Sequence, residues 1–361
     1  MTVALICAAL SAAVVAQGTT AHSSPPQTKI SKGSPLRLGI SSPATSLLAS
    51  SDPSTAARWT AKARQIGVKM VRVTVMWRSI APKALPSGFI ASDPSSAGYS
   101  WTTLDQQLRA LSAEHFQVLL SIREAPSWAE GANAPTWATP GTWEPSDVDF
   151  RQFARAIATR YDGHFPDPLN AGAKLPRVSY WQAWNEPNLA WYLSPQYADE
   201  GPGADSNGAT CPAVDHSAAL SPGIYRRLLN AFYQGVKSVA KSNYVVMAGT
   251  APYSRPNCQP GQPINDRIAP VKFDQGVFCL DSSNQRQAGC QGSAHLDAID
   301  SHPYAPPTVP GPCGNRPCPP TWSAPTGDVA VPDMIELTRA LHAATKLGTV
   351  LPHGAKGVWV T

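Results

Sequence analysis

The chain has 361 residues, of which 43% are apolar and only 15% are charged, and its formal net charge is +5. A chain of this length can bury the core of one large barrel-type domain as readily as two smaller cores. The basic residues are scattered rather than clustered, which excludes the electrostatic footprint of a nucleic-acid-binding protein, and the 36 Pro and 26 Gly indicate long, ordered, irregular loops.

Residues 1–22 have the pattern of a secretory signal peptide. Their apolar run ends at Ala16, which suits a signal core and is too short to cross a bilayer. The usual basic start is missing, because no Lys or Arg precedes Lys29. We expect an exported protein without membrane attachment after cleavage, in which an irregular segment at 23–35 precedes a folded domain at 36–361.

Short β-branched runs alternate with longer amphipathic ones along the folded domain. The runs that predict strands are 36–40, 69–75, 117–122, 178–184, 244–248, 296–301 and 357–361. The first helix is predicted from an Asp52 N-cap followed by Pro53, and it runs to about residue 65. Later helical stripes are Leu104, Leu108 and Leu111; Phe150, Phe153, Ile157 and Tyr161, after a Ser146–Asp149 capping pattern; Ile224, Leu228, Phe232, Val236 and Val239; and Met334, Leu337 and Leu341.

This alternation predicts an α/β protein with a parallel sheet buried on both faces. Seven strands in a repeating order favour a (β/α)8 TIM barrel that is incomplete, with the eighth βα unit missing. The alternative is an open doubly wound sheet. It is less favoured because no Gly-x-Gly-x-x-Gly phosphate loop follows the first strand.

Three stretches are longer than ordinary loops, at 194–220, 251–294 and 303–331. Each follows a predicted strand, so in a barrel each lies on the face where active sites form. Six of the seven cysteines fall in these stretches, while Cys7 lies in the predicted signal. The six are Cys211, Cys258, Cys279, Cys290, Cys313 and Cys318.

An even number of cysteines in loops of an exported protein predicts disulfides. Short spacing favours the Cys279–Cys290 and Cys313–Cys318 pairs, which leaves Cys211 with Cys258 by elimination. A zinc site is less favoured, because no paired Cys-x-x-Cys occurs with a histidine counterpart.

The run Trp-Gln-Ala-Trp-Asn-Glu-Pro-Asn-Leu at 181–189 is the most informative segment. A strand-like, aromatic-rich stretch ends in Asn185 and Glu186, so a carboxyl group stands beside an amide at a strand terminus. Cleavage of a glycosidic bond uses such a carboxylic acid to protonate the leaving oxygen, while a neighbouring polar group fixes a sugar hydroxyl. The alternative interpretation is a surface turn, since Asn and Pro are turn residues.

The same run resembles the fourth-strand signature of clan A glycoside hydrolases, in the manner of families 5 and 39. The resemblance covers roughly residues 36–361 and implies a retaining mechanism on a TIM barrel. It implies that Glu186 is the acid/base and that Asn185 holds the sugar 2-hydroxyl. No cofactor or metal is expected, because carboxylates perform both chemical roles.

Further resemblances imply supporting residues. Arg72 resembles the second-strand arginine that holds the nucleophile ionised, and His302 and Tyr304 resemble the sixth-strand His-x-Tyr that supports the catalytic carboxylates. Trp128 resembles the exit of the third strand and is a candidate for stacking on sugar. The alternatives are an interior ion pair for Arg72, a satisfied buried imidazole for His302 and plain packing for Tyr304.

The clan's nucleophile is a glutamate at the end of the seventh strand, where this sequence has Thr361 as its last residue. We therefore expect a truncated form of a longer enzyme that is itself inactive for lack of the nucleophile. The other strand-end carboxylates, Glu124 and Asp300, are expected to be structural or substrate-binding, with Asp300 the first alternative nucleophile. An oligo- or polysaccharide partner and a monomer are expected. The competing hypotheses are a non-catalytic carbohydrate-binding barrel and an extracellular scaffold.

Overall fold

The computed structural model describes residues 36–41, 44–198, 219–254, 267–304 and 327–361. The segment Arg37–Thr361 forms one compact unit. The predicted signal peptide, the segment at 23–35 and the cysteines other than Cys279 and Cys290 lie outside the described residues. No helix in the described segments combines the length and the apolar character needed to cross a membrane.

A curled sheet of seven parallel strands dominates the fold, in the order β1-β2-β3-β4-β5-β7-β9, and a separate parallel pair joins β6 to β8. The strands are β1 Gly39–Ser41, β2 Met70–Met76, β3 Gln117–Arg123, β4 Tyr180–Ala183, β5 Tyr244–Met247, β6 Ala294–His295, β7 Ala298–Ser301, β8 Val350–Leu351 and β9 Gly357–Val360. All seven predicted strands are present, and the sheet is consistent with an incomplete (β/α)8 barrel. Its edges are β1 and β9, and no described strand pairs with their outer sides.

Helices connect most of these strands and cover the outer face of the sheet. They are α1 Ala44–Leu48, α2 Pro53–Gln65, α3 Trp77–Ile80, α4 Thr102–Ala113, α5 Asp147–Arg160, α6 Ser221–Val239, α7 Pro270–Val277 and α8 Met334–Leu347. The predicted helical stripes fall on α2, α4, α5, α6 and α8. The N-caps are also as predicted: the Asp52 carboxylate accepts from the backbone of Ser54 and Thr55, and Ser146 accepts from Asp149.

Helix α7 corrects the prediction of a long irregular loop at 251–294. It is only two turns long, and a Pro-, Gly- and Asn-rich sequence surrounds it. Too few residues therefore show the apolar periodicity that predicts a helix. Its Phe273 and Val277 are nevertheless fully buried.

Inward-facing side chains of the sheet form an apolar layer followed by a polar one. Met70, Leu119, Val246 and Ala298 make the apolar layer, against which the rings of Tyr180, Tyr244 and Trp359 pack. Because strand side chains alternate between faces, the next inward position is two residues further along each strand. Those positions carry Arg72 on β2, Ser121 on β3, Gln182 on β4 and Asp300 on β7. A polar layer therefore lies between the apolar interior and the carboxyl ends of the strands.

The Cys279–Cys290 disulfide is present, with a Cα–Cα distance of 5.5 Å, and confirms that predicted pair. It closes the turn that follows α7.

Replacing both Cys279 and Cys290 by serine should lower the free energy of unfolding by about 2–3 kcal/mol, because the bridge restricts the unfolded chain across a short loop. Urea unfolding of the variant and the parent protein under oxidising conditions measures the difference. Coincident unfolding curves would contradict a stabilising role for this bridge.

Candidate active site

The end of β4 aims Asn185 and Glu186 at the mouth of the half-barrel. Two non-glycine residues adopt left-handed backbone there, Trp184 with φ 77° and Glu186 with φ 40°. Such conformations cost about 1–3 kcal/mol each and cluster at functional sites. The Glu186 N–H donates to the carbonyl of Gly249 (3.0 Å), which fixes the turn.

The same turn rotates Trp184 away from the barrel interior. Its ring packs edge-on against Phe150 of α5 at 5.5 Å, and its indole N–H donates to the carbonyl of Tyr192. Trp181 lies between the inward-facing Tyr180 and Gln182, so it also faces the helices. Neither tryptophan therefore faces the barrel interior, because the left-handed Trp184 resets the alternation.

Glu186 contacts the imidazole of His302, with 2.7 Å between Oε1 and Nδ1. The other ring nitrogen, Nε2, lies 3.1 Å from the hydroxyl of Thr361, which in turn lies 2.6 Å from Oδ2 of Asp300. Any side chain at Gly249 would collide with this imidazole, since a Cβ there would lie 2.4 Å from Nε2. The absence of a side chain at Gly249 makes room for the chain of contacts.

The contacts of Asp300 determine which way these hydrogen bonds run. Its carboxylate accepts from the Gln182 amide (2.6 Å), the Ser301 N–H (2.9 Å) and the Thr361 hydroxyl. Because the Thr361 proton is donated to Asp300, its oxygen accepts from Nε2–H of His302. Nδ1 is then the atom that shares a proton with Glu186, which lets the pair hold one proton beside the cleft.

Arg72 organises the neighbouring amides. Its guanidinium donates to Oε1 of Gln182 (2.7 Å), to Oγ of Ser121 (3.0 Å) and to Oδ1 of Asn185 (2.7 Å). Burial lowers the pKa of Arg72 from its usual value, and the negative charges of Asp300 and Glu186 act in the opposite direction. Since Asn185 uses its oxygen to accept from Arg72, its NH₂ group remains as a hydrogen-bond donor toward the cleft.

Tyr304 lies beside His302 and Thr361, whereas the contacts described for Trp128 are with other residues. The Tyr304 hydroxyl donates to the carbonyl of Thr361 (3.3 Å), and its ring lies 5.5 Å from the imidazole of His302. Burial, together with the charge of Glu186, raises the pKa of Tyr304. Trp128 instead donates to the carbonyl of Pro82 and packs edge-on against Trp77. Its contact with sugar stays a prediction.

The two other strand-end carboxylates are held in place by protein groups. Asp300 is fully buried, with the three donors described above. Glu124 is 5% exposed and forms ion pairs with Arg78 and Arg123. Within the described segments, no group of three or more His, Cys, Asp or Glu side chains is arranged to hold a metal ion.

Sequence reasoning did not identify Ser121, Gln182 and Thr361 as members of the site. A usable signal was present for Ser121 and Gln182, because each is a polar residue at an inward position within a largely apolar strand, whereas Thr361 follows β9 and interrupts no strand. Their register becomes evident only when the strands are paired.

The fold and the site define an α/β protein with seven strands of a parallel barrel and a carboxyl–imidazole pair at the strand ends. No protein-family model matches the chain, and no curated protein matches it.

Among solved structures, the chain is similar to a GH39 enzyme from Xanthomonas axonopodis pv. citri (15% identity, 90% of this chain and 50% of that chain, TM-score 0.49). It is also similar to a monomeric beta-xylosidase from Caulobacter crescentus CB15 (14%, 90% and 50%, 0.46) and to virulence factor SghA from Agrobacterium tumefaciens (13%, 84% and 66%, 0.42). The chain spans about half the length of the first two. These values assign no family, and the fold rests on the strand order itself.

Proposed function

We propose that this protein is an exported retaining glycoside hydrolase that cleaves β-linked O-glycosyl bonds of an oligo- or polysaccharide. The observation that carries the proposal is the Glu186 carboxyl group, which lies 2.7 Å from Nδ1 of His302 at the mouth of the half-barrel. That imidazole is itself fixed through Thr361 to the buried Asp300. A carboxyl group that shares a proton with a fixed imidazole suits a general acid.

The proposed roles follow from these contacts. Glu186 donates its proton to the glycosidic oxygen as the bond to the leaving group breaks, and it later accepts a proton from water. The NH₂ of Asn185 donates to the sugar 2-hydroxyl, because Arg72 occupies the amide oxygen. His302 keeps the Glu186 carboxyl group directed at the leaving oxygen.

A retaining mechanism needs a second carboxylate to form the glycosyl-enzyme intermediate. Neither Asp300 nor Glu124 fits that role, since the first is fully buried and the second is held by two arginines. The resemblance to clan A puts the nucleophile directly after Thr361, and we propose that position in a longer protein. The second candidate function is a carbohydrate-binding barrel that keeps this cleft without the nucleophile.

Aryl β-glycosides with a good leaving group test the proposal in the 361-residue protein. We expect the 361-residue protein to show no ordinary turnover. Azide or formate should enter the nucleophile position and allow slow release of the phenol. A longer protein that extends beyond Thr361 should show full turnover. Binding of oligosaccharides by the longer protein without cleavage would favour the binding barrel. Enzyme-like hydrolysis by the 361-residue protein without added anion would overturn the nucleophile assignment, and Asp300→Asn would be tested next.

A further inference from the structure

Arg123 extends the inward-facing series of β3 beyond the polar layer. It follows Ser121 by two residues, so its side chain is on the same face of the strand. Its guanidinium lies over the ring of Tyr192, at 5.2 Å from the ring centroid. The charge of Glu186 contributes, after burial, to a raised pKa of Tyr192, which is consistent with Tyr192 lying close to the proposed acid.

Two arginines share one carboxylate at this place. Glu124 contacts Nε of Arg78 at 2.7 Å and also contacts Nη1 of Arg123. No other carboxylate in the described segments forms an ion pair with either arginine. The side chain of Glu124 is 7% exposed, whereas those of Arg78 and Arg123 are 45% and 23% exposed. The carboxylate is therefore inside, and the two guanidinium groups are more exposed to solvent than the carboxylate they share.

The backbone holds this arrangement in a fixed geometry. Glu124 adopts a left-handed conformation with φ 59°, and its carbonyl accepts from the Arg78 N–H at 3.0 Å. A guanidinium that is stacked on an aromatic ring and anchored on one edge loses little further freedom when its remaining N–H groups bind a ligand. These features are those of a preorganised binding group for an anion.

We propose that Arg123, with Arg78 beside it and Tyr192 beneath it, binds the anionic group of an acidic glycan in the cleft next to Glu186. The anionic group is a carboxylate or a sulfate ester carried by the sugar. This subsite rests on the proposed function, since it names the substrate class of the same cleft.

Pairs of sugars that differ only in the anionic group test the subsite by calorimetric binding to the purified protein. One pair is an aryl β-glucuronide and the matching β-glucoside, and the other is a galactose 6-sulfate oligosaccharide and its unsulfated form. The parent protein should bind the acidic member of at least one pair with an affinity higher by about 10-fold or more. Which of the two pairs shows this preference tells whether the anionic group is a carboxylate or a sulfate. Arg123→Gln should abolish that preference and leave binding of the neutral member within about 2-fold, whereas Arg123→Lys should retain part of it.

Arg64→Gln is the matched control, because Arg64 forms an exposed ion pair with Glu114 on the outer surface and the variant makes the same change in charge. It should leave the preference unchanged. Melting curves establish that each variant is folded. If Arg123→Gln does not fold, the partial loss of preference in Arg123→Lys is the test instead. Equal binding of acidic and neutral sugars, or an equal loss of both in Arg123→Gln, would overturn the subsite and leave the proposed function standing. Failure to bind any of the sugars would overturn the proposed function and the subsite with it.

Discussion

Replacing Glu186 by glutamine should slow cleavage of substrates that have poor leaving groups by about 10²–10⁴-fold in the longer protein. Glutamine keeps the size of the side chain and can still contact His302, but it has no proton to give to the glycosidic oxygen. A dinitrophenolate leaving group needs no protonation, so cleavage of a dinitrophenyl glycoside to form the intermediate should be slowed far less. The measurement is kcat/KM across aryl glycosides of graded leaving-group acidity.

The dependence of the rate loss on leaving-group acidity supports the assignment of Glu186 as the general acid, since a merely structural defect would slow every substrate alike. Glu114→Gln makes the same chemical change at an exposed ion pair with Arg64 and should leave the whole series unchanged. A uniform loss in Glu186→Gln, independent of the leaving group, would assign Glu186 to binding rather than to proton transfer.

The strands and most helices could be predicted because their patterns are local and mutually consistent. Val71 and Val73 of β2 are buried on the helix side of the sheet, and Phe150, Phe153 and Ile157 of α5 are all fully buried at helical spacing. Helix α7 was not predicted, since it has two turns in a sequence rich in turn residues. Its burial is a tertiary effect that a window along the chain does not register.

The site was predictable only as a set of strand ends. Glu186 and His302 come together because parallel strands present their carboxyl ends on one side, and Arg72 reaches Asn185 from an inward position within β2. The hydroxyl of Thr361 between His302 and Asp300 depends on how β7 and β9 are paired, which no local pattern specifies. The outward rotation of Trp184 depends on one left-handed residue, and a tryptophan gives no sign of adopting that conformation.

Asp274 is a buried acid that neither the fold nor the proposed chemistry explains. It lies on α7 and is fully buried, and neither carboxyl oxygen has a hydrogen-bond partner in the described part of the chain. Burial raises the pKa of Asp274 well above its ordinary value, and the negative charge of Asp300 acts in the same direction. Folding therefore favours the protonated acid.

The sign of the pH dependence follows from proton uptake. Between the ordinary pKa of an aspartate and the raised pKa of Asp274, the folded state binds more protons than the unfolded state. The contribution of this group to the free energy of unfolding therefore falls as pH rises, by up to roughly 1.4 kcal/mol per pH unit. The fall begins near the unfolded pKa of about 4 and ends once the folded pKa is passed.

Asp274→Asn should consequently stabilise the protein relative to the parent increasingly as pH rises above about 4, with a slope of up to roughly 1.4 kcal/mol per pH unit until the folded pKa is passed. Asparagine has the size of the protonated acid and cannot ionise, so the variant removes the titration without opening a cavity. Urea unfolding at half-unit pH steps measures the difference between the two proteins. Asp93→Asn, at an exposed position, controls for the loss of one acid and should give no such divergence. If Asp274→Asn is instead less stable than the parent protein throughout, with a deficit that widens as pH rises, the carboxyl group is ionised and stabilised in the folded state, and the account of a protonated Asp274 is wrong.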